Sequence, residues 1–238
     1  MTKLHVFGDS YSTPGFCVDP QDSWWGLMAK ELSGKIQGVE NYSWPGNNID
    51  SIAHIIVANS NLFAPDGYVV IGVPPIERVT VFDKDAESKK VVRFNSILAK
   101  SVKENVAGFT GVKQITTHQL SKHSVDLYDR SWQEAQVLRQ LITLLAYVKN
   151  CVKNVLIVNL STPFQPMSEW PTLNRMQQQV YKEPCMLIDQ NTYYSTNYQI
   201  NQPLDFDTHG WHGHHDAVGN QHWFNTVLLP KMKELQWV

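Results

Sequence analysis

Apolar and polar residues follow one another in short blocks along this 238-residue chain. The period inside each block predicts its element. Leu4-His5-Val6-Phe7 is a mainly apolar run that stops at Gly8 and reads as a buried strand opening the fold. Residues 24–32 carry Trp25, Leu27, Met28 and Leu32 at helical spacing, behind Ser23, whose hydroxyl suits an N-cap. Residues 39–42 read as a second short strand. The Pro, Gly and Asn content of residues 43–48 marks a turn. A helix follows over 49–57, with Ile49, Ile52, Ala53 and Ile56 on one face. Residues 68–72, Tyr-Val-Val-Ile-Gly, form the clearest strand: β-branched, continuous and bounded by turn residues. The longest helix is predicted over 131–149, with Ser131 and Glu134 as a capping box and an apolar stripe through Trp132, Ala135, Leu138, Leu141, Ile142, Leu145 and Val148. Residues 155–160 and 185–188 read as two further strands, and a closing helix runs from Ala217 through Trp223, Phe224, Val227 and Leu228.

Strands alternating with helices call for a parallel sheet covered on both sides. The expected class is α/β: a three-layer α/β/α sandwich around a central, mostly parallel, five-stranded sheet. One domain spans 1–238, with insertions of mixed structure at about 74–128 and 161–184. In such a sheet the site lies beyond the carboxyl ends of the strands.

Composition narrows the function. The net charge of −2 offers no basic surface for nucleic acid or an anionic membrane, so neither is expected as a partner. No run approaches the roughly 18 apolar residues of a membrane span. The first residues lack the apolar stretch of a secretory leader, which gives a cytoplasmic expectation. Cys17, Cys151 and Cys185 are odd in number and widely spaced, which fits reduced thiols rather than a disulfide framework or a zinc ribbon. The eight tryptophans and nine tyrosines suit a core, but equally a carbohydrate or acyl site. Nothing in the composition fixes an oligomeric state.

The chemistry concentrates at the two ends of the chain. Gly8-Asp9-Ser10 follows the first strand directly, where an open α/β sheet presents a reactive loop. A serine there becomes a nucleophile once a base takes its proton and amides stabilise the oxyanion. Five histidines crowd the other end: His209, His212, His214, His215 and His222. Such a cluster can bind metal, but it lacks the Glu of a His-Glu-x-x-His helix, and no metal or cofactor is expected.

Phe7-Gly8-Asp9-Ser10-Tyr11-Ser12 resembles the first block of the SGNH/GDSL-type serine hydrolases, a family of esterases and lipases. Asn41-Tyr42-Ser43-Trp44-Pro45-Gly46 is similar to the second block. The resemblance implies Ser10 as nucleophile, with the backbone N–H groups of Ser10 and Gly46 facing the oxyanion. The third block, Gly-x-Asn, supplies a further donor; here Gly72-Val73-Pro74 puts a proline in the asparagine's place, and proline has no N–H. Either a neighbour such as Asn47 or Asn48 replaces it, or the oxyanion hole is weaker here. The last block is Asp-x-x-His before the closing helix. Aligning Gly219 with the family's glycine makes His214 the base, with His212 and His215 as alternative registers, and puts Trp211 where the Asp belongs. Asp207 then reaches the imidazole from a shifted loop, or a backbone carbonyl orients it in a Ser–His dyad. Glu77-Arg78 follows the third strand; it reads as a solvated ion pair, with Arg78 able to meet an anionic substrate group.

The expected activity is hydrolysis of small or carbohydrate-linked acyl esters. A second reading places a phosphate-cradling loop at Ser10-Tyr11-Ser12-Thr13-Pro14-Gly15, as a flavodoxin-like module would use, or a degenerate hydrolase fold that binds a glycan without turnover.

Overall fold

A computed structural model describes residues 1–14, 19–45, 47–74, 78–82, 91–95, 130–159, 186–188 and 217–238; of 78–82, 91–95, 130–133 and 186–188 it describes the backbone. Five strands form one sheet: β1 (Leu4–Phe7), β2 (Val39–Asn41), β3 (Tyr68–Val73), β6 (Asn154–Asn159) and β7 (Met186–Ile188). Their order is β2-β1-β3-β6-β7, and every pair is parallel. The helices are α1 (Trp24–Glu31), α2 (Ile49–Asn59), α3 (Arg130–Cys151), α4 (Ala217–Trp223) and α5 (Leu229–Glu234), the last two joined by a π-helical turn over Phe224–Leu228.

Period-2 alternation divides the core in two. Leu4, Val6, Tyr68, Val70, Leu156 and Val158 pack with Trp24, Met28, Trp223, Leu228 and Met232, so α1 and the C-terminal helices cover that face. The intervening Phe7, Val69, Ile71, Val73, Val155 and Ile157 pack with Ile52, Ile56, Leu138 and Leu141 from α2 and α3. A sheet apolar on both faces must be covered on both, which is the expected three-layer sandwich. Each fully buried aliphatic side chain contributes about 1.5–3 kcal/mol before chain entropy is counted.

Local chemistry explains the helix starts. The Ser23 side chain accepts from the Gly26 N–H at 3.1 Å, and Asn48 accepts from the Ser51 N–H at 2.9 Å. The backbone N–H of Trp24 donates to Asn220 Oδ1 at 3.1 Å, so a residue of α4 satisfies an orphan donor at the start of α1.

The structure refines three expectations. The long helix already includes Arg130, so Ser131 lies inside it rather than at its cap, and Glu134 is buried. Residues 74–128 include a two-stranded antiparallel ribbon, β4 (Arg78–Phe82) with β5 (Val91–Asn95), separate from the main sheet. The closing helix is not regular. Asn220, Phe224, Leu228 and Met232 are all buried at a spacing of four. On a 3.6-residue helix that stripe would drift by about 40° per step. The wider π turn absorbs the surplus and keeps the four on one side.

His5 sits in the middle of β1 and is a core residue. Its ring stacks at 6.1 Å and 8° on Tyr42 and lies 4.9 Å from Phe63. Burial holds the imidazole below its usual range, against an opposing pull from Glu40. Burial likewise raises the Tyr42 phenol, with Glu40 adding to the effect. Among the described residues no helix is long and apolar enough to cross a membrane.

Candidate active site

Ser10 stands three residues beyond β1, on the carboxyl side of the sheet. The chain leaves β1 toward β2 on one side and leaves the adjacent β3 toward β6 on the other, so the strand order reverses between β1 and β3. That makes the Ser10 turn the topological switch point, where α/β sheets open a crevice for ligands.

The turn is tied down from several directions. Asp9 O accepts from the Ser12 N–H at 3.0 Å and from Thr13 Oγ1 at 2.9 Å. The Asp9 carboxylate accepts the Tyr11 N–H at 3.2 Å, an Asx turn. Gly8 O accepts from the Trp44 N–H at 3.3 Å and from Asn47 Nδ2 at 2.8 Å. Tyr11 O accepts from the Trp24 indole at 3.0 Å, and Ser12 O from Asn41 Nδ2 at 2.8 Å. Asn41 spends its other end on the Ser43 N–H at 2.8 Å. With the carbonyls of Gly8, Asp9, Tyr11 and Ser12 all held by donors from the turn itself, β2, the following loop or α1, the backbone cannot rotate without breaking several bonds. Ser10 itself is 8% exposed.

Beneath the turn, Ser12 is wedged between two glycines. A methyl on Gly8 would stand 2.5 Å from Ser12 Oγ, and one on Gly72 would stand 2.9 Å from the same atom. Both glycines are therefore required by close approach rather than by backbone angle. The Oγ atoms of Ser12 and Ser43 are buried without a hydrogen-bond partner among the described residues.

Of the expected site residues, the structure places Ser10, Asn47, Asn48, Pro74 and His222. Pro74 directly follows β3 and is buried. Asn48 is the N-cap of α2, and the Asn47 amide is given to Gly8 O, so both have structural duties. His222 is exposed on α4. Arg78 opens β4. Gly46, Asp207, His209, Trp211, His212, His214 and His215 lie outside the described residues, as does Glu77. Trp44, two positions before Gly46, and Asn47, directly after it, both reach Gly8. Among the described residues no group of three His, Cys, Asp or Glu stands close enough to hold a metal ion.

Reading the residues in order misses Asn41, Asn47 and the Trp24 indole as supports of the nucleophile turn. Asparagine in a loop signals a turn, and only the folded sheet shows that these amides cross to another strand's loop.

No family model and no curated protein matches the chain. Solved structures do. TesA is 14% identical, with a TM-score of 0.51 over 98% of this chain and 99% of its own. The psychrotrophic esterase EstA from Pseudoalteromonas sp. is 10% identical, with a TM-score of 0.51 over 99% of each chain. The acetyl xylan esterase Est2A from Butyrivibrio proteoclasticus is 10% identical, with a TM-score of 0.51 over 100% of this chain and 65% of its own. At these identities the likeness establishes the fold, and it is the SGNH-hydrolase fold that the sequence resemblance implies.

Proposed function

We propose that this chain is a serine-dependent ester hydrolase acting on small or carbohydrate-linked acyl esters. The observation that carries the reading is the Ser10 turn: a serine at the switch point of a parallel sheet, on a backbone fixed by the bonds at Gly8, Asp9, Tyr11 and Ser12. Solved structures with this fold include proteins described as esterases, one of them an acetyl xylan esterase, and that supports the choice of ester chemistry.

In the proposed mechanism His214 takes the Ser10 proton as Oγ attacks the ester carbonyl carbon. The N–H groups of Ser10 and Gly46 hold the oxyanion of the tetrahedral intermediate. The carbon–oxygen bond to the alcohol breaks, and His214 gives its proton to the departing oxygen. Water then attacks the acyl-serine, His214 accepts its proton, and the acid leaves as Ser10 regains hydrogen. Asp207 orients the imidazole and supports its charged form. Pro74 cannot donate, so two backbone donors carry the oxyanion.

The test is hydrolysis of 4-nitrophenyl acetate and butyrate at pH about 8, where imidazole is neutral. Ser10→Ala and His214→Ala are expected to lose on the order of 10⁴-fold or more in kcat. An active His214→Ala beside an inactive His212→Ala or His215→Ala moves the base to that residue. Wild type no faster than Ser10→Ala refutes the esterase reading. It would favour a ligand-binding protein on the same fold, for which the missing donor at Pro74 is the supporting observation.

A further inference from the structure

Among the described tryptophans, Trp44 is the one that the core does not explain. Trp24, Trp25, Trp223 and Trp237 are buried, whereas Trp44 is 65% exposed. An indole left in water forgoes the burial that normally justifies its size, so its position asks for another use. That position is specific. The Trp44 N–H donates to Gly8 O at 3.3 Å, two residues before Ser10, and the Trp44 carbonyl accepts the Asn47 N–H at 3.1 Å. Asn47 is fully buried and also bonds Gly8 O at 2.8 Å. Pro45, next in the chain, has a fixed φ. The residue therefore stands on a loop bonded to the nucleophile turn.

We infer that Trp44 is a specificity-determining platform on which a sugar ring of the substrate stacks. The inference rests on the ester-hydrolase reading and names its alcohol side as a glycan. The sugar's apolar C–H face suits a flat, exposed π-surface, and its hydroxyls suit a polar rim. Asp50, exposed in the first turn of α2, is such a polar group on the same stretch of chain. A long acyl chain would instead need a deep apolar channel, and an indole two-thirds open to water does not provide one. The fixed loop also means that little order is lost when the ring is covered.

The experiment compares wild type, Trp44→Ala and Trp44→Phe on three substrates: acetylated xylo-oligosaccharides, 4-nitrophenyl acetate and 4-nitrophenyl decanoate. The inference predicts that Trp44→Ala loses at least tenfold more kcat/KM on the oligosaccharides than on 4-nitrophenyl acetate. The extra loss falls mainly on KM, and Trp44→Phe recovers part of it. An equal loss on all three substrates overturns the inference, because the indole would then only support the loop beside the nucleophile turn. A loss confined to the decanoate overturns it in favour of an acyl-chain contact. If wild type hydrolyses none of the esters, the hydrolase reading fails separately. Calorimetric titration of Ser10→Ala with the same acetylated oligosaccharides then decides the platform: binding abolished by adding Trp44→Ala upholds it, and no binding at millimolar concentration overturns it.

Discussion

The two glycines around Ser12 yield a quantitative double-mutant prediction. A methyl at Gly72 would meet Ser12 Oγ at 2.9 Å, while its other neighbours, Phe7 O at 3.5 Å and Gly8 Cα at 3.7 Å, are at ordinary contact distance. Gly72→Ala alone therefore overpacks one oxygen atom and should cost about 1–3 kcal/mol. Ser12→Ala removes a buried hydroxyl that has no partner among the described residues, so it should be neutral or stabilise by about 1 kcal/mol. Together the two changes should nearly cancel. The new methyl occupies space the oxygen has left, and the lost unfolded-state freedom of glycine adds about 0.4–1 kcal/mol. The expected coupling is at least about 1 kcal/mol, read from urea unfolding by tryptophan fluorescence with an unchanged m-value. Gly8→Ala is the control. Its methyl would also lie 2.9 Å from Ser12 Cβ, an atom that alanine keeps, so Ser12→Ala should not rescue it. Additivity of Gly72→Ala with Ser12→Ala within about 0.3 kcal/mol, or rescue of both glycine variants alike, would refute the packing argument.

Asn47→Ala removes the 2.8 Å donor to Gly8 O and should destabilise by about 1–3 kcal/mol while lowering kcat more than it raises KM; a fully stable, fully active variant would sever Asn47 from the nucleophile turn. The pH profile of stability should show His5. Its folded pKa lies below the ordinary 6.5, so as pH falls through 6.5 the unfolded chain binds protons first and stability is lost, down to the folded pKa. Above 6.5 this contribution is flat. His5→Phe should remove the slope, and an unaltered slope would assign it to other groups.

β1, β3, β6 and β7 were legible because each carries a short apolar run, and β3 and β6 are apolar on both faces. Ser23 announced α1 because an N-cap acts over three residues. The boundary at Arg130 was not legible, since the Ser-x-x-Glu pattern starts one residue later, inside the helix. The π turn was hidden for a different reason: a stripe spaced by four reads as an ordinary amphipathic helix until it must stay against a flat sheet. At the site, Ser10 was visible from its place after the first strand, and Gly72 from its block. The amides of Asn41 and Asn47 were not, because their acceptors lie 29 and 39 residues away and depend on the pairing of β1 with β2.

The bond from Trp24 to Asn220 spans 196 residues. At about 5–20 residues per second, a ribosome needs roughly 10–40 s to bring the second partner out after the first. Throughout that interval α1 lacks an acceptor for its leading amide, and Trp24 lacks Trp223 against its ring. Trp24 is also the residue whose indole holds Tyr11 O, next to Ser10. The nucleophile turn thus receives one of its supports from a segment made 196 residues later, and a nascent chain stopped short of Asn220 would carry the nucleophile without the brace that sets it.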